Sequence, residues 1–335
     1  MRNNPLVSIV IVNFNGKKYL KTCVENVLKT KYEPFEVIVV DNGSSDGSAE
    51  FIRGAAKSRR SSRCIKFIIN PRNVGPANAR NQASNLARGS LLAFLDNDTK
   101  PDPNWLKKAV ELFRDPEIGA VQCKIILDDR DVIDSIGSYL GSLGFLVQRV
   151  PLGQIRDMGQ FSGVTDIFST KSAGMLIKKE AFFEVGRFDP SYFIYNEEMD
   201  LCWRLWLHGY KVVFCPCSIV YHKSGTTKLI APNIFNYLLY FHGTKNYIQT
   251  VFKNGSKKML FSHVICWFGT LFFMIAKKKI KESLFIIKGI IWNLKNFRQL
   301  ILKRQNNKLF GKCQIPNHLI KDMPISYYLN VLKRF

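Results

Sequence analysis

Four short apolar runs dominate the first hundred residues: LVSIVIV at 6–12, FEVIVV at 35–40, IKFII at 65–69 and SLLAFL at 90–95. Such short, mostly apolar runs mark strands, and the first two read as buried on both faces. Three of the runs stop abruptly at polar clusters, namely Asn13-Phe14-Asn15-Gly16, Asp41-Asn42-Gly43-Ser44-Ser45-Asp46-Gly47 and Asp96-Asn97-Asp98. Segments with helical spacing lie between them. One covers about 17–29, with Leu20, Val24, Val27 and Leu28 on its buried face. A second begins near Ser48, with Ser45 or Asp46 placed to cap it, and a third covers about 76–88. Pro101 and Pro103 break the chain before a helix carrying Trp105, Leu106, Val110 and Leu112. Strands alternating with helices at this spacing predict an α/β protein with a mostly parallel, doubly wound sheet and helices on both faces.

From 119 to 170 the pattern weakens, and glycines at 137, 141, 144, 153, 159 and 163 suggest loops and short antiparallel strands. Order returns at 172–177, followed by a helix opening at Lys179-Glu180 and then Phe188-Asp189. A helix is expected from about Glu197 to Leu207, stopping at Gly209, with a strand at Lys211–Phe214. The N-terminal apolar run lacks a small-residue cleavage site and reads as a first strand, not a signal peptide.

In open parallel sheets, ligands bind just outside the carboxyl ends of the strands. The polar strand ends here are Asn13/Asn15, Asp41 and Asp96/Asn97/Asp98, and an aspartate so placed can accept a hydrogen bond from a base or ribose. Asp96 and Asp98 concentrate negative charge at the mouth of a low-dielectric sheet, which is costly unless a cation or strong donors neutralise it. Hard oxygen ligands of this kind suit Mg²⁺ or Mn²⁺ bridging a diphosphate. No G-x-G-x-x-G follows the first run, which argues against a dinucleotide oxidoreductase. Glu197-Glu198-Met199-Asp200 opens a helix, where acids interact favourably with the dipole. Asp200 is spaced for an i, i+4 ion pair with Arg204, so Glu198 is the freer carboxylate to act as general base, with Asp200 as second candidate.

The order of these pieces resembles the inverting glycosyltransferase family 2, its rhamnosyltransferase-like members included. The matching segments are VSIVIVNFNG (7–16), VIVVDNGSSDGS (37–48), NVGPANARNQA (73–83), LLAFLDNDTKPDPNWL (91–106), SAGMLIKKEAFFEVGRFDP (172–190), and YNEEMDLCWRLWLHGY (195–210) with VYH at 220–222. The resemblance implies a GT-A fold in which a Rossmann-like nucleotide-binding half is fused to an acceptor half, here residues 1–228. It implies a nucleotide-sugar site formed by Asn13, Asn15, Asp41, Asn73, Arg80, Asp96 and Asn97. Asp98 and His222 match the family's metal ligands, for Mn²⁺ or Mg²⁺. The family most often has Glu-Asp-x-Asp-Leu where this chain reads Glu197-Glu198-Met199-Asp200-Leu201, so Glu198 takes the place of the aspartate base and is one methylene longer. The activity implied is transfer of a hexose from a UDP- or dTDP-sugar to a glycan.

The charge is uneven. The chain carries a net +23, and residues 241–335 hold 18 Lys and Arg against only Glu282 and Asp322. The apolar runs between these charges point to an anionic membrane surface and not to nucleic acid. Residues 259–276 contain no Lys, Arg, Asp or Glu and are flanked by Lys257-Lys258 and Lys277-Lys278-Lys279. That length is at the short end for a span. Residues 229–335 are therefore expected to form a basic helical region attached through 259–294, either in the interface or by a single span. Nucleotide sugars place the catalytic half in the cytoplasm, and the tail suggests a lipid-linked acceptor in surface polysaccharide synthesis. Cys215 and Cys217 make a poor zinc signature, while Cys23, Cys64, Cys123, Cys202 and Cys266 read as core thiols. Two other readings compete: a sugar-nucleotide nucleotidyltransferase, which calls for a basic Gly-rich loop that NFNGKKYL barely offers, and a non-catalytic nucleotide-sugar-binding module tethered to a membrane.

Overall fold

The computed structural model describes residues 4–57, 65–230, 232–310, 313–324 and 327; Cys64 lies outside them. Strand β1 (Val7–Asn13), helix α1 (Lys17–Val27), β2 (Phe35–Asp41), α2 (Ser48–Lys57), β3 (Ile65–Ile69), α3 (Pro76–Leu86) and β4 (Leu91–Asp96) alternate as the sequence predicts. Asp46 caps α2, its carboxylate accepting from the Ser48 amide at 3.1 Å and hydroxyl at 2.5 Å. The four strands are parallel in the order β3-β2-β1-β4, so the winding reverses between β1 and β4. That reversal opens a crevice at the carboxyl ends. Register sets the ends level, with Asn13 opposite Asp41 and Val12 opposite Asp96.

Alternate side chains of the same strands feed two cores. Val10, Ile38, Val40, Leu92 and Phe94 pack with Ala77 and Ala83 of α3. Ile9, Ile11, Val37, Val39, Ala93 and Leu95 pack with Leu20 and Val24 of α1. The continuous hydrophobicity of the runs thus reflects helices on both faces.

The chain continues through β5 (Thr99–Pro101), α4 (Trp105–Leu112), β6 (Ile118–Leu127), β7 (Val132–Ser135), β8 (Ser138–Gly141), β9 (Leu146–Gln148), β10 (Thr165–Asp166), β11 (Met175–Lys178), α5 (Lys179–Glu184), α6 (Glu197–Leu207) and β12 (Lys211–His222). β11 runs antiparallel between β4 and β6, and β6 pairs in parallel with β12. Two strands differ from expectation. β6 is a ten-residue central strand where loops were expected to begin. Its Gln122 and Lys124 interrupt the apolar pattern yet are buried. Gln122 is satisfied by the carbonyls of Cys123 and Gly174 and by the Lys171 amide, and Lys124 by Asp157 at 3.0 Å. Apart from Cys123, those partners are distant in sequence. β12 passes an irregularity between Cys215 and Ile219 and runs on to His222, beyond the expected end at Phe214. Cys23, Cys123, Cys202 and Cys215 are buried, Cys266 is half-buried, and all described cysteines are free.

The remaining elements are α7 (Thr226–Ile230), α8 (Phe235–Tyr237), a π-helical turn at Leu238–His242, α9 (Gly243–Asn254), α10 (Lys257–Ala276), α11 (Ile280–Lys295), α12 (Phe297–Phe310) and β13 (Ile320–Lys321). This region is knitted to the preceding half. β13 pairs with β8, and Phe145 packs against Tyr247, His263 and Trp267. α10 is the one described helix long and apolar enough to cross a membrane, and 22% of its apolar window is buried. Its inner face carries His263, Trp267, Thr270 and Met274, and its outer face leaves Phe261, Ile265, Phe268 and Phe272 exposed.

Charges also join the two regions. Lys253 of α9 sits 2.7 Å from both Asp189 and Asp200, and Lys303 of α12 sits 2.8 Å from Asp189. Burial opposes charging Asp189, but the two lysines outweigh it and hold the carboxyl well below the usual carboxylate range. A depressed folded-state pKa contributes stability above the unfolded value of about 3.9 and loses it as pH falls below that. Thermal unfolding followed from pH 7 downward is expected to show a flat plateau and then a decline through pH 4. Asp189→Asn is expected to cost about 3–5 kcal/mol at pH 7, as for other broken buried pairs, and to flatten that decline.

Candidate active site

The crevice at the β1/β4 reversal is a cavity of about 840 Å³. Asn42, Asn73, Arg80, Asp96, Asn97 and Asp98 line it from the nucleotide-type half; Ser172, Phe193, Tyr195, Glu197, Glu198, His222 and Thr226 line it from the other. A second, more open groove at the opposite end of the sheet, around Tyr32, Arg88 and Lys179, holds none of the strand-end acids.

The acidic strand end is held from several sides. Arg80, buried on α3, donates to Asp96 at 2.8 Å and to Glu197 at 3.0 Å, bridging the two halves. Burial disfavours the Arg80 charge, but Asp96, Glu197 and Glu198 outweigh it and raise its pKa. Burial and the neighbouring Glu198 charge push the Glu197 carboxyl up to about 8 against the pull of Arg80. The Asn97 amide donates to Asn13 at 2.7 Å directly above Gly16, where a Cβ would lie 2.0 Å from the Asn97 nitrogen. Only glycine leaves room for that contact.

Asp96, Asp98 and His222 each offer one ligand atom, all within 4.8 Å of one another. Burial opposes charging His222, but hydrogen bonds to Asp134 (2.8 Å) and Asp98 (3.3 Å) prevail and raise its pKa to about 9. Asp98 is correspondingly lowered, with Thr226 also donating to it at 2.8 Å. Asp134 is lowered to about 2, burial being overcome by His222 and by Lys171 at 2.6 Å. Two carboxylates and an imidazole clustered at a buried strand end are a donor set that fits a hard divalent cation. Asp134 completes a carboxylate–histidine pair of the kind that orients metal-bound imidazoles.

Glu198 enters the cavity from the first turn of α6 and accepts from the Ser172 amide (3.1 Å) and hydroxyl (2.5 Å). Asp200 is not brought there. It is fully buried behind α6, paired with Arg204 (2.8 Å), Lys253 (2.7 Å) and Asn254 (2.9 Å). Asn13, Asn15 and Asp41 also lie off the cavity lining. Asp41 is 1% exposed and accepts from Asn13 (3.0 Å) and from the Ser44 amide (3.2 Å), while Asn15 accepts from the Ser45 amide (2.8 Å). Asn73, Arg80, Asp96, Asn97, Asp98, Glu198 and His222 do meet. Sequence reading missed Asp134, Lys171, Ser172 and Thr226. Asp134 sits in DDRDVIDS, which looks like a solvated acidic turn until the fold folds it under His222.

A parallel sheet with acids at its reversal point, closed by an antiparallel strand and a second half, defines an α/β protein of the GT-A fold. Through residues 8–174, the chain belongs to glycosyl transferase family 2. It is 30% identical to the O-antigen biosynthesis protein RfbC of Myxococcus xanthus over 68% of its own length, and spans 18% of that longer protein. Two solved structures share the fold. GalNAc-T7 with UDP, GalNAc and Mn²⁺ superposes with a TM-score of 0.59 at 22% identity, over 75% of this chain and 48% of that one. The mannosyltransferase PcManGT of Pyrobaculum calidifontis, with GDP-Man and Mn²⁺, gives 0.55 at 16% identity, over 92% and 87%.

Proposed function

We propose that this chain is an inverting, divalent-metal-dependent glycosyltransferase acting on a nucleoside-diphosphate sugar, a UDP- or dTDP-sugar, with a lipid-linked glycan as acceptor. One observation carries the reading: the Asp96/Asp98/His222 donor set and the Glu198 carboxylate line the same cavity. The family assignment supports it, as do the nucleotide and Mn²⁺ named for the two structural neighbours and the O-antigen role named for the sequence relative.

Asp98 and His222 would hold Mn²⁺ or Mg²⁺, with Asp96 beside them. The cation would supply positive charge to the diphosphate as the leaving group departs. Asn73 and Asn97 supply donors and acceptors for the nucleotide, and Arg80 holds the Asp96 carboxylate in place. Glu198 takes the proton from the acceptor hydroxyl as its oxygen bonds to the anomeric carbon, and the bond to the nucleoside diphosphate breaks on the opposite face. This single displacement inverts the configuration and needs no enzyme nucleophile.

The exposed apolar face of α10, with exposed Lys257, Lys258 and Lys277 to Lys279 at its ends, supports attachment through 259–294 at the cytoplasmic face of a membrane, in surface polysaccharide synthesis. The test is thermal unfolding in mild detergent with UDP, dTDP, GDP, CDP or ADP, each with and without Mn²⁺. A ligand specific to the folded state stabilises by about 2.7 kcal/mol at a hundredfold excess over its Kd. Metal-dependent stabilisation by UDP or dTDP is expected. No response of the folded protein to any nucleotide with metal would overturn the reading.

A further inference from the structure

The helical C-terminal region reaches the active site from behind. Helix α9 presents a buried polar stripe at 245, 246, 249, 250 and 253, two adjacent rows of one helical face. Each member holds the segment that leads into α6. Lys253 binds Asp189, Lys245 donates to the Ser191 carbonyl at 2.6 Å, and the Ser191 hydroxyl donates to Gln249 at 3.1 Å. Tyr192 shares a 2.5 Å hydrogen bond with Thr250. Asn246, fully buried, donates both amide hydrogens to consecutive carbonyls, Ile194 at 2.8 Å and Tyr195 at 2.7 Å.

Those carbonyls flank an unusual piece of backbone. Tyr195 and Asn196 are both left-handed, with φ of 71° and 65°, a conformation that non-glycine residues adopt at a cost. They line the cavity and immediately precede Glu197 and Glu198, so the direction in which α6 begins is set by this turn. Paired non-glycine residues persist in such a conformation only where the surroundings over-determine it. The Asn246 amide is the side chain that fixes both carbonyls at that point.

We infer that Asn246 is a positioning residue for the base: by gripping the carbonyls of 194 and 195 it holds the left-handed pair 195–196 and thereby sets how Glu198 meets the acceptor hydroxyl. The inference rests on Glu198 being the base, and it makes α9 part of the catalytic apparatus as well as the support for α10 and α11.

The experiment compares Asn246→Ala with Ile248→Ala, which removes a buried side chain of the same helix from the separate cluster around Phe145 and Trp267. Full-length protein is assayed for sugar transfer at saturating donor, and binding of nucleoside diphosphate with Mn²⁺ is measured separately. Asn246→Ala is expected to lower kcat at least tenfold, with nucleotide–metal affinity within twofold of the parent. Ile248→Ala is expected to lower thermal stability with kcat within twofold. Adding Asn196→Gly to Asn246→Ala is expected to recover part of kcat, because glycine adopts the left-handed turn without a holding contact. Should Asn246→Ala fail to fold, Asn246→Ser, which keeps one donor, serves in its place with an intermediate loss expected. Equal kcat for the 246 and 248 variants, or a loss confined to donor affinity, would overturn the inference. If the parent chain transfers no sugar, the proposed activity itself is what has failed; if Glu198→Gln abolishes transfer while the 246 variants do not, only the positioning role has.

Discussion

Glu198→Gln is expected to lower kcat by about 10²–10⁴-fold, the range for removing a general base, while nucleotide and metal binding stay near the parent values. Glutamine keeps the size of the side chain and can still accept from the Ser172 amide and hydroxyl, so the turn of α6 that carries it is preserved. What is lost is the ability to take a proton. Asp200→Asn is the informative partner. Asp200 is fully buried and tied to Arg204, Lys253 and Asn254, so neutralising it leaves two cations short of a counter-charge. A stability loss of about 3–5 kcal/mol follows, with little change in kcat for the fraction that remains folded. Steady-state transfer kinetics alongside thermal unfolding separates the two variants. If Asp200→Asn abolished transfer in a folded protein and Glu198→Gln did not, the assignment of the base would reverse.

The doubly wound half was legible because its signal is local. The runs at 6–12, 35–40, 65–69 and 90–95 are short and mostly apolar, so no knowledge of partners was needed to place β1 to β4, the edge strand β3 included. That Asp96, Asp98 and Glu198 meet at one cavity was legible for a related reason: each stands at or just beyond a strand end or at a helix start. β6 was not legible, because Gln122 and Lys124 are polar in sequence and become acceptable inside only through Gly174, Lys171 and Asp157. The basic tail was half legible. Its charge pointed to an anionic surface, yet Lys245, Lys253 and Lys303 turn inward to Ser191, Asp189 and Asp200. A count of lysines cannot distinguish a cation facing solvent from one whose counter-ion lies fifty residues or more upstream. Asp41 shows the converse. Its strand-end position was read as an open acceptor, while the fold buries it and gives each oxygen a donor within the protein, Asn13 and Ser44.

Asp98→Ala is expected to abolish measurable transfer, a loss of about 10³-fold or more, since metal stabilisation of a leaving group is worth several kcal/mol and each 1.36 kcal/mol is about tenfold. The substitution removes one of two carboxylates from the ligand cluster and the partner of His222 Nε2. It does not leave the imidazole orphaned, because Asp134 remains 2.8 Å from Nδ1 and Lys171 remains beside Asp134. The fold should therefore survive, with a cost of about 1–3 kcal/mol for the acceptor that Thr226 loses. Asp134→Asn tests the layer behind. It keeps Asp98 and His222 and alters what orients His222 and what pairs with Lys171, so metal affinity is expected to fall about 10–100-fold, with activity recovering at high metal. Mn²⁺ titration with activity read at each concentration distinguishes the two: Asp134→Asn shifts the curve to higher metal, and Asp98→Ala flattens it. Full activity of Asp98→Ala at low metal would remove the strand-end acids from the mechanism and return the cavity to a binding role.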